Sequence, residues 1–324
     1  MQITHGARSA ASPPVALTIG NFDGVHRGHQ VMLERLVRQA RERRLASCVL
    51  TFEPHPREFF ERLQERSTTP DAAPPPAPTR LTNLREKLEL LAAQGVERVH
   101  VLRFAPALAA LTPEAFVEQV LWRALAARWI LIGDDFRFGA RRAGDISLLR
   151  ALAPGFGFEV EAMDTVEHAG SRVSSSVVRS ALAAGDLRAA ESLLGRPYSI
   201  SGRVVHGNKL GRELGFATAN VQLKHNRPPL MGIYAVRAHI EGAPALPGVA
   251  SLGVRPTVRS DGQAVLEVHL FDFERDLYRH HMRVEFLHKI RDEARFADLD
   301  ALKAQIARDC EEAKNYLATE HDHG

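Results

Sequence analysis

Ala16-Leu-Thr-Ile-Gly-Asn-Phe-Asp-Gly-Val-His-Arg-Gly-His29 is the most informative run in the chain. It opens inside a short apolar segment, Val15 to Ile19, of the kind that forms a strand buried in a parallel sheet. Gly20 and Gly24 break that segment. Beyond Arg27 the period changes, and Leu33, Leu36, Val37 and Ala40 recur at the spacing of one buried helical stripe. The run therefore predicts a strand, a glycine turn and a helix, with His26 and His29 on one face of the helix's first turn. Unpaired N–H groups and the positive dipole end favour a phosphate there. Imidazoles add directional donors that can follow charge as it develops on phosphorus.

Two plainer readings of the histidine pair compete. The rings could simply cap and pack a helix start, or they could ligate zinc with His55 or Asp23. No CxxC or HExxH accompanies them, which speaks against a closed four-ligand site. The whole string GNFDGVHRGH resembles the HxGH signature of nucleotidylyltransferases. In this longer form it is similar to the adenylyltransferase half of the bacterial bifunctional riboflavin kinase/FMN adenylyltransferases, the FAD synthetases. The resemblance implies a Rossmann-like domain in which Gly20, Phe22, Asp23, His26 and His29 contact ATP, with both histidines catalytic.

At 324 residues the chain exceeds the usual size of one domain, so two are expected. Its 45% hydrophobic and 25% charged residues are those of an ordinary globular protein. A net charge of +3 suits small anionic substrates and is too weak for a nucleic-acid stripe. The basic run Arg38 to Arg44 falls on the last turns of the first helix, where it complements the dipole. Cys48 and Cys310 lie in opposite halves and imply no disulfide framework. The segment MQITHGARSAASPP lacks a signal-peptide core, and no stretch reaches the roughly 18 apolar residues of a membrane span. A cytoplasmic protein with no membrane partner is expected, and weak self-association stays open.

Along the first half, Ala46 to Phe52 reads as a second buried strand ending in Phe52-Glu-Pro-His-Pro56, similar to the family's TFxPHP segment. That likeness brings His55 to the flavin and phosphate edge. Residues 66–80 are proline-rich and read as a loop. A helix over Thr82 to Gln94, a strand over Val96 to Leu102, a helix capped by Thr112 and a strand over Trp129 to Ile132 follow. Gly133-Asp-Asp-Phe-Arg-Phe-Gly139 resembles a GxDFxFG segment, which implies that Asp135 and Phe136 face the flavin while Asp134 stays on the surface. After a strand over Phe158 to Met163, Arg172-Val-Ser-Ser-Ser-Val-Val-Arg179 offers Ser174 as an N-cap. It also resembles the family's ISSTxIR motif, which would set Ser175, Ser176 and Arg179 on the ATP phosphates. Alternating strands and helices predict a parallel sheet. Residues 1–187 are expected to form this α/β domain and 188–324 a second domain.

Period-2 segments from Tyr198 onward, separated by glycine and proline turns, predict an all-β antiparallel barrel. Leu299, Leu302 and Ile306 mark a terminal helix begun by Asp298. The stretch Gly207 to Asn220 places glycine at every fourth position before Thr218-Ala-Asn220. It is not a Walker A loop, because Asn208 stands where lysine is required. It resembles the riboflavin-kinase signature GxxxGxxxGxPTAN. By that likeness Gly207, Lys209, Gly211, Gly215, Thr218 and Asn220 surround ATP, with Thr218 and Asn220 as oxygen ligands of Mg²⁺. Ala217 replaces the signature's proline. Gly253 to Thr257 also matches a family segment, whereas Arg279 follows Tyr278 where the family shows glycine. Glu267, in Val265-Leu-Glu-Val-His-Leu-Phe271, occupies the place of the family's general base. The resemblance thus implies riboflavin phosphorylated to FMN in the barrel and FMN adenylylated to FAD in the first domain, ATP serving both. Its rivals are a nucleotidylyltransferase with another acceptor and a non-catalytic flavin or nucleotide binder.

Overall fold

The computed structural model describes residues 1–6, 13–65, 77–168, 170–206, 215–223, 227–254, 264–273 and 275–321. They form two compact units, Met1–Pro78 with Leu84–Ser174, and Thr79–Asn83 with Ser175–Gly324. In the first, strands β1 (Gln2–His5), β2 (Val15–Ile19), β3 (Ala46–Glu53), β4 (Arg98–Arg103), β5 (Ala127–Gly133) and β6 (Glu159–Met163) make one parallel sheet. Their order is β1-β4-β3-β2-β5-β6. The chain runs outward from β2 through β3 to β4, then crosses back to β5. That reversal makes β2 and β5 the switch point, where open sheets of this kind bind ligands beyond their carboxyl ends.

Every residue of β2 is buried because helices cover both faces. On one side, α1 (Arg27–Glu42) and α3 (Leu84–Ala93) bring Leu33, Leu36 and Leu91 against Ala16, Val49 and Trp129. On the other, beyond the short α4 (Pro106–Ala109), α5 (Pro113–Phe116) and α6 (Ile146–Phe156) bring Phe116 and Leu149 against Leu17, Leu50 and Ile130. Thr112 caps α5 as expected, accepting the Ala115 N–H at 3.2 Å. The same path continues to Ala124 as a wider π-helix. The elements not expected include an edge strand and a helix. The edge strand β1 is mostly exposed, and α2 (Pro56–Glu65), although amphipathic with Phe59, Phe60 and Leu63 along one face, buries none of its residues.

The second unit begins with α7 (Ser175–Ala183) and α8 (Leu187–Leu194). A closed antiparallel barrel follows, made of β9 (Tyr198–Val205), β10 (Ala219–Gln222), β11 (Gly232–Ile240), β12 (Leu246–Val254), β13 (Ala264–Leu270) and β14 (His281–Arg291). Tyr234, Val236, Leu252, Leu266, Val284 and Phe286 share its inner face and are almost wholly buried. The terminal helix, Leu299–His321, is α9 here and lays Cys310, Ala313 and Leu317 on Ile233, Ala235, Val249 and Phe271 of the outer face. Asp298 caps it through the Ala301 N–H at 2.8 Å, and Arg291 grips the buried Asp309 through both carboxylate oxygens.

The expected boundary after residue 187 falls inside this second unit, because α7 packs on α8, and α8 in turn on β9 and β14. Val178 and Leu182 of α7 are 0% and 1% exposed. A fragment of residues 188–324 loses both and also the Asp186 cap of α8. At ~1.5–3 kcal/mol per aliphatic side chain and ~1 kcal/mol for a cap, it should melt roughly 10 °C below a fragment of residues 175–324. Thermal melts followed by circular dichroism check this, and equal midpoints would show that α7 adds nothing to the barrel.

Candidate active sites

The loop after β2 is held in an uncommon backbone. Phe22 and Val25 have φ of 47° and 40°, and Gly24 has 80°. A β-branched residue in the left-handed region is a genuine outlier, sustained only where its surroundings over-determine it. Here Phe22 and Val25 are locked into the core with Leu33 and Leu36. The strained loop delivers His26 as N-cap of α1, its Nδ1 accepting the His29 N–H at 3.4 Å. That places the ring proton of neutral His26 on Nε2. The two imidazoles stack with centroids 3.7 Å apart, and Phe22 lies 4.9 Å from His29. His29 titrates well below the ordinary histidine range, chiefly through burial, then through His26 and Lys87. Its Nδ1 is buried and has no hydrogen-bond partner among the described residues. Incoming phosphate charge would oppose these effects and draw a proton onto the pair.

Gly20, Phe22, Asp23, His26 and His29 thus share one short turn, with Asp23 and His26 buried in it. A Cβ at Gly28 would meet the His26 ring at 3.3 Å and the Val173 carbonyl at 3.6 Å, so glycine permits that close approach. His55 follows β3 at the same sheet edge, where its Nδ1 accepts the Arg57 N–H at 3.1 Å and caps α2. Asp135 pairs with Arg172 at 2.7 Å, both side chains largely exposed, and Phe136 stacks on Phe138 at 5.5 Å. Asp134 is exposed, as expected. Ser175, Ser176 and Arg179 lie on α7 in the second unit, where Arg179 Nε donates to the Thr79 carbonyl at 2.5 Å.

Sequence reasoning missed an aromatic group. Phe52, Phe59, Phe60 and Phe104 meet edge to face at centroid distances of 5.3–5.9 Å. Phe60 and Leu63 of α2 are about half exposed. The available signal was the Phe59-Phe60 pair in a segment too short and polar to build a core of its own.

In the barrel, Gly207, Lys209, Gly211 and Arg255 to Thr257 lie outside the described residues. Gly215 has φ of 90° and open space around it. Antiparallel register sets Asn220 opposite Glu267, which puts both side chains on one face. Ser251 flanks Glu267 on the far side. A cavity of about 350 Å³ opens beside Thr218, lined also by Val204, Ala219, Val268, Leu270 and Tyr278. Tyr278 lies against His206, ring centroids 3.7 Å apart and tilted by 36°. Arg279 adopts φ of 70°, so the turn keeps the left-handed residue that glycine would favour, and arginine bears its cost.

A strained loop feeding a helix at the switch point of a parallel sheet defines a nucleotide-handling α/β domain, here followed by a small closed barrel. The FAD synthetase family model matches residues 8–177, and the riboflavin kinase model matches residues 194–317. The chain is 48% identical over 305 residues to the bifunctional riboflavin kinase/FMN adenylyltransferase of Escherichia coli (strain K12), covering 94% of this chain and 93% of that one. It is 50% identical over 301 residues to the protein of that name from Pseudomonas fluorescens, covering 93% and 92%. The chain belongs to the bifunctional riboflavin kinase/FMN adenylyltransferase family. A crystal structure from Streptococcus pneumoniae superposes with a TM-score of 0.79 at 30% identity, over 97% of this chain and 99% of that one. That protein is named a macrolide-efflux protein. No described helix of the present chain is long and apolar enough to cross a membrane.

A neutral His29 binds its extra proton only on unfolding, so the unfolded chain gains protons below about pH 6.5 and the fold loses stability as pH falls. Full-length His29→Gln should accordingly lose less of its melting temperature than the parent between about pH 7.5 and 5.5. Calorimetry at the two pH values decides, and equal losses would exclude a neutral His29.

Proposed function

We infer that this chain makes FAD from riboflavin in two ATP-dependent steps, the barrel forming FMN and the parallel-sheet domain adenylylating it. Another acceptor or a purely binding role is not favoured, since both catalytic family models match in the expected order. For the residue roles, the observation that carries the reading is the register pairing of Asn220 with Glu267. It sets a carboxylate beside the strand start that the signature gives to ATP.

In the kinase step Glu267 takes the proton of riboflavin's terminal ribityl hydroxyl as that oxygen attacks the γ-phosphorus, and ADP leaves. Thr218 and Asn220 supply a hydroxyl and an amide oxygen, hard neutral donors that fit Mg²⁺, which would offset charge on the phosphates. Among the described residues no group of three or more His, Cys, Asp or Glu side chains could hold a metal ion. The cavity beside Thr218 has the volume of a small-molecule pocket and would take the nucleotide.

In the second step an oxygen of the FMN phosphate attacks the α-phosphorus of ATP in line, and pyrophosphate leaves without a covalent enzyme intermediate. His26 and His29 donate to the phosphates as charge builds, while the turn that carries Gly20, Phe22 and Asp23 supplies the cradle. Ser175, Ser176 and Arg179 would grip the triphosphate. Phe136 and the aromatic group around Phe60 would offer an apolar platform to the flavin ring, with His55 and Asp135 at its polar edge.

Free, buried Cys48 and Cys310 suit a reducing cytoplasm. The small net charge requires no nucleic-acid partner. His29→Ala should accumulate FMN from riboflavin, its second step slowed on the order of 10²–10³-fold. Glu267→Gln should form almost no FMN, yet convert supplied FMN to FAD at the parent rate. Chromatography of flavins from each starting compound reads both variants, and the reverse pattern would overturn the assignment of chemistry to domains.

A further inference from the structure

The β10–β13 ladder ends at Ala219 opposite Val268. Extended by one residue, the same register sets Thr218 opposite His269. Thr218, Asn220, Glu267 and His269 are then four corners of one patch on one face of the strand pair. Three of these corners already have roles in the kinase reading above, and the fourth does not. Instead of a further ladder bond, the His269 side chain reaches across, its Nδ1 lying 2.9 Å from the Ala217 carbonyl oxygen. A carbonyl only accepts, so Nδ1 carries the proton and donates it. The ring is steadied edge-on by Phe216 at 5.5 Å and by Phe271 at 5.9 Å.

This bond acts where the backbone has least support of its own. The Ala217 carbonyl belongs to the peptide that carries Thr218, so fixing it fixes the plane from which the Thr218 hydroxyl projects. One residue beyond Phe216 stands Gly215, with φ of 90° and nothing within 4 Å of where a Cβ would be. Ala217 lacks the ring that would restrict φ at the signature's proline position. With proline absent and glycine free, a side-chain hydrogen bond from the neighbouring strand helps to hold the peptide.

We propose that His269 is a positioning residue of the riboflavin kinase reaction, its Nδ1–H holding the Ala217 carbonyl so that the Thr218 hydroxyl meets the ATP phosphates and their cation. This rests on the reading that Thr218 serves ATP. It touches neither the flavin hydroxyl nor the transferred phosphorus, so its loss should weaken nucleotide use more than the chemical step.

The test uses the full-length chain with His269→Leu, which keeps bulk and removes the donor, and His269→Asn, whose amide nitrogen can stand in for Nδ1. Thr218→Val and the Thr218→Val/His269→Leu double variant complete the set. His269→Leu should raise KM for ATP and the Mg²⁺ concentration for half-maximal rate about tenfold, the loss of one hydrogen bond. His269→Asn should return both to within about threefold of the parent. All variants should adenylylate supplied FMN normally, and an unchanged thermal melt by circular dichroism should report an intact barrel. The double variant should be no worse than Thr218→Val, because the two act through one group. If His269→Leu leaves KM for ATP unchanged while Thr218→Val raises it, the positioning role fails and the Thr218 reading stands. If Thr218→Val is itself silent, that reading fails and the proposal falls with it. Equal defects in the Leu and Asn variants would assign the effect to ring packing and overturn the donor role.

Discussion

Burial of β2 on both faces is the constraint from which the first unit follows. A strand with no exposed side chain can sit only in the middle of a sheet covered by helices on either side. Once it is central, the chain must leave it at the carboxyl end and turn at once into α1. Little length is available for that turn, and much of it is itself buried, which explains the left-handed Phe22 and Val25. The packing that imposes this strain also sets His26 and His29 with their rings stacked at the start of α1.

The same burial sets the electrostatics. An isolated pair of imidazoles would be partly charged near neutral pH, and stacking two charges at 3.7 Å would be costly. Burial, helped by the charges of His26 and Lys87, holds His29 well below the ordinary histidine range and so favours its neutral form. The site is thus tuned by what surrounds it and stores no permanent charge that water would screen.

The barrel solves a different problem. Its interior is filled by side chains such as Tyr234 and Phe286, which meet edge to face at 5.3 Å. One patch of wall is covered by α9, and another, around Asn220 and Glu267, is left with polar groups in register. Closing the barrel between β9 and β10 fixes that register, since a slip of one residue would turn Glu267 inward.

What was legible in the sequence was local. The apolar run and helical stripe around residues 15–40 declared strand, turn and helix. Thr112 and Asp298 announced their helices through capping chemistry, and the period-2 segments after Tyr198 announced a barrel, because these patterns depend on neighbours a few residues away. The order of strands, the edge strand β1 paired to β4, and the allegiance of α7 to the barrel were decided only in three dimensions. Each depends on contacts between segments far apart in the chain, for which no local period exists. The Phe52–Phe104 grouping and the His269 bond to Ala217 are of the same kind. Residue types can be read from the chain, but which of them face each other is set by register and packing.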